Sequence, residues 1–157
     1  MIASALAGGV IGTLAMTTII KTGTELGVTR MDVALLLGTV VSANRRKARA
    51  IGYAFDFVLG VAFAEAYGQF FAILGRSSWQ LGALLGALHA VFTATVLVSV
   101  LLPAVHPRMA TADTAANKIT LIEPPGFLML NYGRGTMLVT LAGHIAYGAL
   151  VGLITRV

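Results

Sequence analysis

Four apolar stretches, each long enough to cross a lipid bilayer, constrain this chain more than any other feature. A transmembrane helix needs about 20 mostly apolar residues to cross about 30 Å of hydrocarbon. Residues 2–20, 51–74, 81–102 and 136–155 meet this requirement. They predict an all-α, integral membrane four-helix bundle that forms one transmembrane domain over residues 1–157.

The composition agrees with a membrane protein. The chain has 157 residues, of which 57% are hydrophobic and 11% are charged, whereas soluble domains carry about 25% charged residues. Its net charge of +5 does not indicate nucleic-acid binding, because no basic face carries interleaved aromatic residues. The absence of cysteine excludes disulfides, thiolate metal sites and a cysteine nucleophile.

The distribution of Lys and Arg predicts the topology. The connections after the first and third spans hold nine of these residues, and the opposite side holds Arg76 and Arg156. The positive-inside rule therefore places both long connections in the cytoplasm and both termini on the non-cytoplasmic side of a cell (inner or plasma) membrane.

Each long connection contains an apolar patch. Residues 32–42 are too short to span as a helix, and they predict an interfacial or re-entrant helix with Asp32 at its N-terminus. Packing of this segment under the bundle as a plug is an equally good interpretation. The second connection has a similar patch at residues 127–130.

The second and fourth spans share a sequence pattern. Each has Ala-Tyr-Gly near its end, with the glycine at Gly68 or Gly148, and an arginine follows eight residues after that glycine. The first and third spans both carry a Gly-xxx-Gly pair. This order predicts two tandem helical hairpins, and chance matching in a glycine-rich chain is the alternative.

Small residues recur at every fourth position of the spans, as in Gly82, Gly86 and Ala90. Such small-xxx-small ridges allow close backbone approach between membrane helices. They predict tight packing within the chain, and packing against a second copy or a larger membrane complex is the alternative.

Ionisable residues inside a span are costly and indicate functional sites. Glu65 and His89 lie equally far from the turn between the second and third spans, and His144 lies at a similar height near the chain end. Thr13 of the first span lies at or slightly below that level. The sequence predicts that these four residues form a mid-membrane polar cluster, able to act as a proton relay, as ligands, or only as a hydrogen-bonded fixture of helix register.

Two further groups of charged residues are predicted nearer the cytoplasmic side. Asp56 lies on the helix face opposite Glu65, and we expect a structural ion pair with a basic residue at a cytoplasmic helix end, such as Arg134 or Lys21. A second group is a juxtamembrane basic cluster that is expected to contact lipid headgroups. Its members are Arg45, Arg46, Lys47 and Arg49.

Two short motifs resemble those of uncharacterised small, glycine-rich bacterial membrane proteins with four helices. They are Gly86-Ala87-Leu88-His89 and His144-Ile145-Ala146-Tyr147-Gly148. The resemblance implies the four-helix layout and carries no known activity or cofactor.

Three functions remain open from the sequence. The leading hypothesis is a non-enzymatic accessory or oligomeric subunit, or a small binding module, in the lipid bilayer. A proton- or ion-coupled transporter that uses Glu65, His89 and His144 is the alternative. The third is a haem-binding electron carrier with the two histidines as axial ligands. No catalytic residue or metal site is predicted.

Overall fold

The computed structural model describes residues 2–110 and 122–157, and this part of the chain is all-helical, with no strand. Four of its helices are long and apolar enough to cross a membrane. They are α1 (Ile2–Glu25), α3 (Arg45–Leu74), the third long helix (Trp79–Val105) and α6 (Thr136–Ile154). The coarse fold prediction, four apolar helices compatible with a membrane bundle, is confirmed.

The third long helix is not uniform along its length. It begins as α4 (Trp79–Phe92), continues as a π-helix (Thr93–Leu101) and ends as α5 (Leu102–Val105). A π-helix is rare, and it usually forms a single turn that is often found at a functional site. Two short helices lie in the connections, α2 (Val33–Gly38) and a 3₁₀ segment (Phe127–Tyr132).

Local capping explains where α3 and α4 begin and end. The Asn44 side chain accepts hydrogen bonds from the first backbone N–H groups of α3, so the helix starts before its apolar stretch. Gly75 ends α3 in the left-handed conformation (φ 64°), which glycine adopts without steric cost. Ser78 then caps α4 through the backbone N–H of Leu81.

Helix α6 lies between α4 and α1, and α1 also packs against α3. Glycines bring the α4 and α6 backbones together. A Cβ placed on Gly82 would lie 1.9 Å from the Gly148 carbonyl oxygen, and one on Gly86 would lie 2.1 Å from that of His144. Helices α3 and α4 follow each other in the chain, but their backbones make few direct contacts. Side chains of both helices border a cavity between them.

The two long connections meet at one end of the bundle. The backbone N–H of Arg30 donates to the Tyr132 carbonyl oxygen at 2.7 Å, and the buried hydroxyls of Thr29 and Thr136 are 2.7 Å apart. From the second connection, His106 Nε2 lies 3.1 Å from the Leu36 carbonyl oxygen in α2. Lys118, one of the basic residues behind the topology prediction, lies outside the described residues.

The segments near both termini meet at the opposite end, beside the turn between α3 and α4. The Ser77 hydroxyl donates to the Thr155 carbonyl oxygen at 2.6 Å, and the backbone N–H of Arg156 donates to the Ser4 hydroxyl at 3.0 Å. These contacts place residues near both ends of the chain on one side of the bundle.

Candidate functional site: a histidine pair above an apolar cavity

His89 of α4 and His144 of α6 lie side by side inside the bundle. Their ring centroids are 4.9 Å apart, with the planes nearly perpendicular. The nearby glycine contact explains this approach, because Gly86 lies one helical turn before His89 and packs on the backbone of His144. The close α4–α6 backbone contact therefore positions both imidazoles.

Aromatic side chains surround the histidine pair. Phe63 and Tyr67 of α3 have ring centroids 4.1 Å and 6.1 Å from that of His89. Tyr147, one turn beyond His144, is 1% exposed and donates its hydroxyl to the Gly60 carbonyl oxygen. These contacts join α3 to α4 and α6 at the level of the histidines.

The hydrogen bonds fix the neutral tautomer of His144 and leave both neutral tautomers open to His89. His144 Nδ1 is 2.9 Å from the Thr140 carbonyl oxygen, which can only accept, so Nδ1 carries the hydrogen and Nε2 is an acceptor. Tyr67 Oη is 3.2 Å from His89 Nδ1. Either atom can donate in this contact, because the tyrosine hydroxyl both donates and accepts, so the contact is compatible with both neutral tautomers of His89.

An apolar cavity of about 360 Å³ lies beside the histidine pair. Leu59 and Phe63 line it from α3, and Leu97 and Leu101 line it from the π-helix. Leu59 and Leu101 are also exposed on the outside of the bundle. The cavity therefore reaches the surface that the bilayer would cover.

Two threonine hydroxyls in the cavity wall have no hydrogen-bond partner within residues 2–110 and 122–157. They belong to Thr93, one turn after His89, and to Thr140, one turn before His144. Since α4 and α6 run in opposite directions, both threonines lie on the connection side of the histidine pair. An unpaired buried hydroxyl is costly, and such a group in a native structure calls for an explanation.

The π-helix starts at Thr93, at the level of these hydroxyls. Ser99 holds the segment, because its one hydroxyl hydrogen is shared between the Ala94 carbonyl oxygen and the Gly126 carbonyl oxygen of the second connection. In that connection Leu128 and Met129 have left-handed backbones (φ 53° and 57°), which cost of order 1–3 kcal/mol each. Met129 lines the cavity, so irregular backbone borders the candidate site on two sides.

Glu65 and Thr13, predicted to share the histidine layer, have different surroundings. Glu65 Oε1 is buried, with no hydrogen-bond partner in the described part of the chain. Tyr67, rather than Glu65, contacts His89. The Thr13 hydroxyl donates to the Gly9 carbonyl oxygen at 2.7 Å and packs against Gly60. The structure therefore brings together the two histidines and adds the tyrosines.

Asp56 has a partner that the sequence analysis did not anticipate. Its Oδ2 atom accepts a 2.6 Å hydrogen bond from the hydroxyl of Thr17 in α1. The predicted Asp56–Arg134 pair is not among the ion pairs found within the described ranges. Those pairs are Lys21–Glu25, Arg30–Glu123 and Arg49–Asp32. Arg134 is exposed at the start of α6, and Asp56 is only 8% exposed.

The predicted basic cluster lies in the first turn and a half of α3. Arg45, Arg46 and Lys47 are exposed. Arg49 binds Asp32 at 2.9 Å, the same residue that caps α2 through the Leu35 backbone N–H. Headgroup contact stays a prediction for all four residues, and the ion pair of Arg49 in addition connects α2 to α3.

The histidine geometry bears on the haem hypothesis. Two axial imidazoles coordinate opposite faces of one iron, with the macrocycle between them. His89 and His144 instead contact each other edge to face, which leaves no space for a ring between them. Within residues 2–110 and 122–157, no group of three or more His, Asp or Glu side chains could hold a metal ion.

Several residues of this site were missed from the sequence. The spacings His89-xxx-Thr93 and Thr140-xxx-His144 were a usable signal, since they put each threonine on the face of its histidine. No sequence pattern reveals the π-helix. The chain matches no protein-family model, and no curated protein and no solved structure was found to be similar to it.

Proposed function

We propose that this protein is a non-enzymatic membrane binding module whose cavity takes a membrane-soluble, apolar small molecule with a hydrogen-bonding head group. The observation that carries this proposal is that Thr93 and Thr140, which line a largely apolar cavity, have buried hydroxyls with no hydrogen-bond partner in the described part of the chain. Binding cavities are typically apolar with a few placed polar groups.

The polar end of the cavity suits a head group that both donates and accepts hydrogen bonds. In its neutral form His144 offers an acceptor at Nε2, and His89 offers a donor or an acceptor there according to its tautomer. The two threonine hydroxyls can do either. A hydroxyl, amide or quinol head fits this set, with the apolar body lying between Leu59 and Leu97.

Native mass spectrometry of the gently extracted protein tests this proposal. We expect a bound small-molecule mass on the wild type and its loss in Leu97→Trp, because the larger side chain fills the cavity. Leu88→Trp is the matched control, since Leu88 is 59% exposed on α4 and does not line the cavity. A wild type without bound mass, or equal occupancy in both variants, would contradict the proposal.

We also propose the orientation and internal repeat of the bundle. The connections form one end, where the exposed Arg45, Arg46 and Lys47 favour a cytoplasmic location. Both termini then lie on the non-cytoplasmic side of the plasma membrane. Direct packing of α1 on α3, and of α4 on α6, supports two tandem hairpins, with α2 and the 3₁₀ segment as interfacial pieces.

Assembly with a second copy, or with a larger membrane complex, is the other part of this proposal. The glycine ridge of α4 packs inside the chain, against α6. Glu65 remains on α3 with a buried, unpartnered oxygen, the kind of intramembrane group that another helix can satisfy. The same mass spectra would reveal a partner chain or a homo-oligomer.

A further inference from the structure

A second pocket, of about 300 Å³, lies between α1, α2 and α3 at the end of the bundle that holds the connections. Its wall holds more polar and charged side chains than that of the apolar cavity, and we call it the polar pocket. The charged residues in the wall are Lys21, Glu25, Asp32, Arg49 and Asp56, with the titratable Tyr53 beside them.

Asp56 lines both the polar pocket and the apolar cavity. Thr17 orients its carboxyl group through the 2.6 Å hydrogen bond. The basic residues of the polar pocket are committed elsewhere, Lys21 to Glu25 at 3.8 Å and Arg49 to Asp32 at 2.9 Å. Asp56 is therefore a buried carboxyl without an ion-pair partner in the described part of the chain.

From this placement we infer that Asp56 is a proton-exchange site, through which protons pass between the polar pocket and the apolar cavity. Carboxyl groups inside membrane spans, paired with histidines, commonly form proton relays. On the cavity side the titratable groups are His89, His144 and Tyr147. Of these groups, His144 presents an acceptor atom at Nε2, because its Nδ1 is already bonded to the Thr140 carbonyl oxygen.

The transfer balances without any further reactant. The O–H bond of protonated Asp56 breaks, and the proton joins a base in the cavity, either His144 Nε2 or the bound head group. The carboxylate that remains takes a proton from water in the polar pocket. Only the use of the proton by a ligand depends on the proposed binding function, since exchange at Asp56 occurs without one.

Hydrogen–deuterium exchange of the histidine side chains tests this inference on the full chain in lipid nanodiscs. The protein is labelled with [¹⁵N]histidine, transferred to D₂O, and followed by ¹H–¹⁵N spectra. We expect Asp56→Asn to slow exchange of the His89 and His144 ring N–H groups at least about tenfold, because it removes a general acid–base group. Glu65→Gln, which changes the other intramembrane carboxyl, should leave these rates unchanged.

Two outcomes would overturn the inference: unchanged ring exchange in Asp56→Asn, or equal slowing in Glu65→Gln. Backbone amide signals of the same histidines show whether each variant keeps its fold. If Asp56→Asn does not fold, Thr17→Val decides the matter. It keeps the carboxyl but removes the hydroxyl that orients it, so ring exchange should again slow, and an unchanged rate would refute the relay. None of these results depends on finding a bound ligand.

Discussion

Gly86→Ala perturbs the contact that holds the two histidines together. The added Cβ would lie 2.1 Å from the carbonyl oxygen of His144 and 3.1 Å from the Cα of Ile145. Carbon–oxygen contacts between helices normally measure about 3.3–3.6 Å. Both neighbours are backbone, so no side-chain rotation can relieve the overlap, and α4 must move away from α6 by about 1 Å or more.

The cost of this displacement follows from packing energetics. Inserting a methyl group into a well-packed site typically costs about 1–3 kcal/mol. The upper end applies to Gly86→Ala, because the move also separates Gly82 from Gly148, where the backbones are equally close. We therefore expect the free energy of unfolding to fall by about 3 kcal/mol.

Reversible unfolding in mixed micelles with a denaturing detergent measures this change. The fluorescence probe is Trp79, the only tryptophan, which lies at the start of α4. Gly68→Ala is the control, since its Cβ would meet only side-chain atoms, the Ala5 Cβ at 3.3 Å and the Thr155 Cγ2 at 3.7 Å. It should change the free energy of unfolding by less than about 1 kcal/mol. Equal stability of the two variants would refute the backbone contact and, with it, the account of how the histidines are positioned.

Two further predictions concern the connections. Thr29→Val leaves the buried Thr136 hydroxyl without its 2.7 Å partner and should lower the free energy of unfolding by about 1–3 kcal/mol, whereas Thr29→Val with Thr136→Val should cost less. A double-mutant cycle checks this, and additive losses would contradict it. Burial, and secondarily Arg108, lowers the pKa of His106 from 6.5 despite its bond to the Leu36 carbonyl. Because the unfolded chain then binds more protons, stability should fall as pH drops below 6.5. The free energy of unfolding, measured as a function of pH, should depend less on pH in His106→Gln than in the wild type. An unchanged slope in this variant would assign the pH dependence to other groups.

Hydropathy predicted the four long helices because the bilayer dictates their length and apolar content. Their exact ends depend on local caps. Asn44 extends α3 through polar residues, and α1 continues past Lys21 to Glu25. Counting residues from the turn and from the chain end also placed His89 and His144 at one height, since rise per residue is constant in a helix.

Helix rotation and packing order could not be predicted in the same way. The partner of Asp56 depends on the face that α1 turns toward α3, which puts Thr17, rather than Arg134, beside the carboxylate. The cavity exists because α3 packs on α1 and α2 while α4 packs on α6. Glycine contacts determine the helix rotation and the packing order. Because a glycine-rich sequence offers many equivalent glycine ridges, the sequence alone does not show which of them are in contact.

The central claim, that the unpaired cavity hydroxyls await a ligand, is tested most directly by Thr140→Val. The matched control is Thr155→Val, whose hydroxyl is equally buried and unpartnered but does not line the cavity. Removing an unsatisfied hydroxyl should raise the free energy of unfolding of the ligand-free protein by about 1 kcal/mol in both variants.

Native mass spectrometry of the two variants, extracted in parallel, is the measurement. The account predicts that Thr140→Val loses the bound small molecule, while Thr155→Val retains it at the wild-type level. Equal occupancy in Thr140→Val and Thr155→Val would contradict the claim that these hydroxyls bind a ligand.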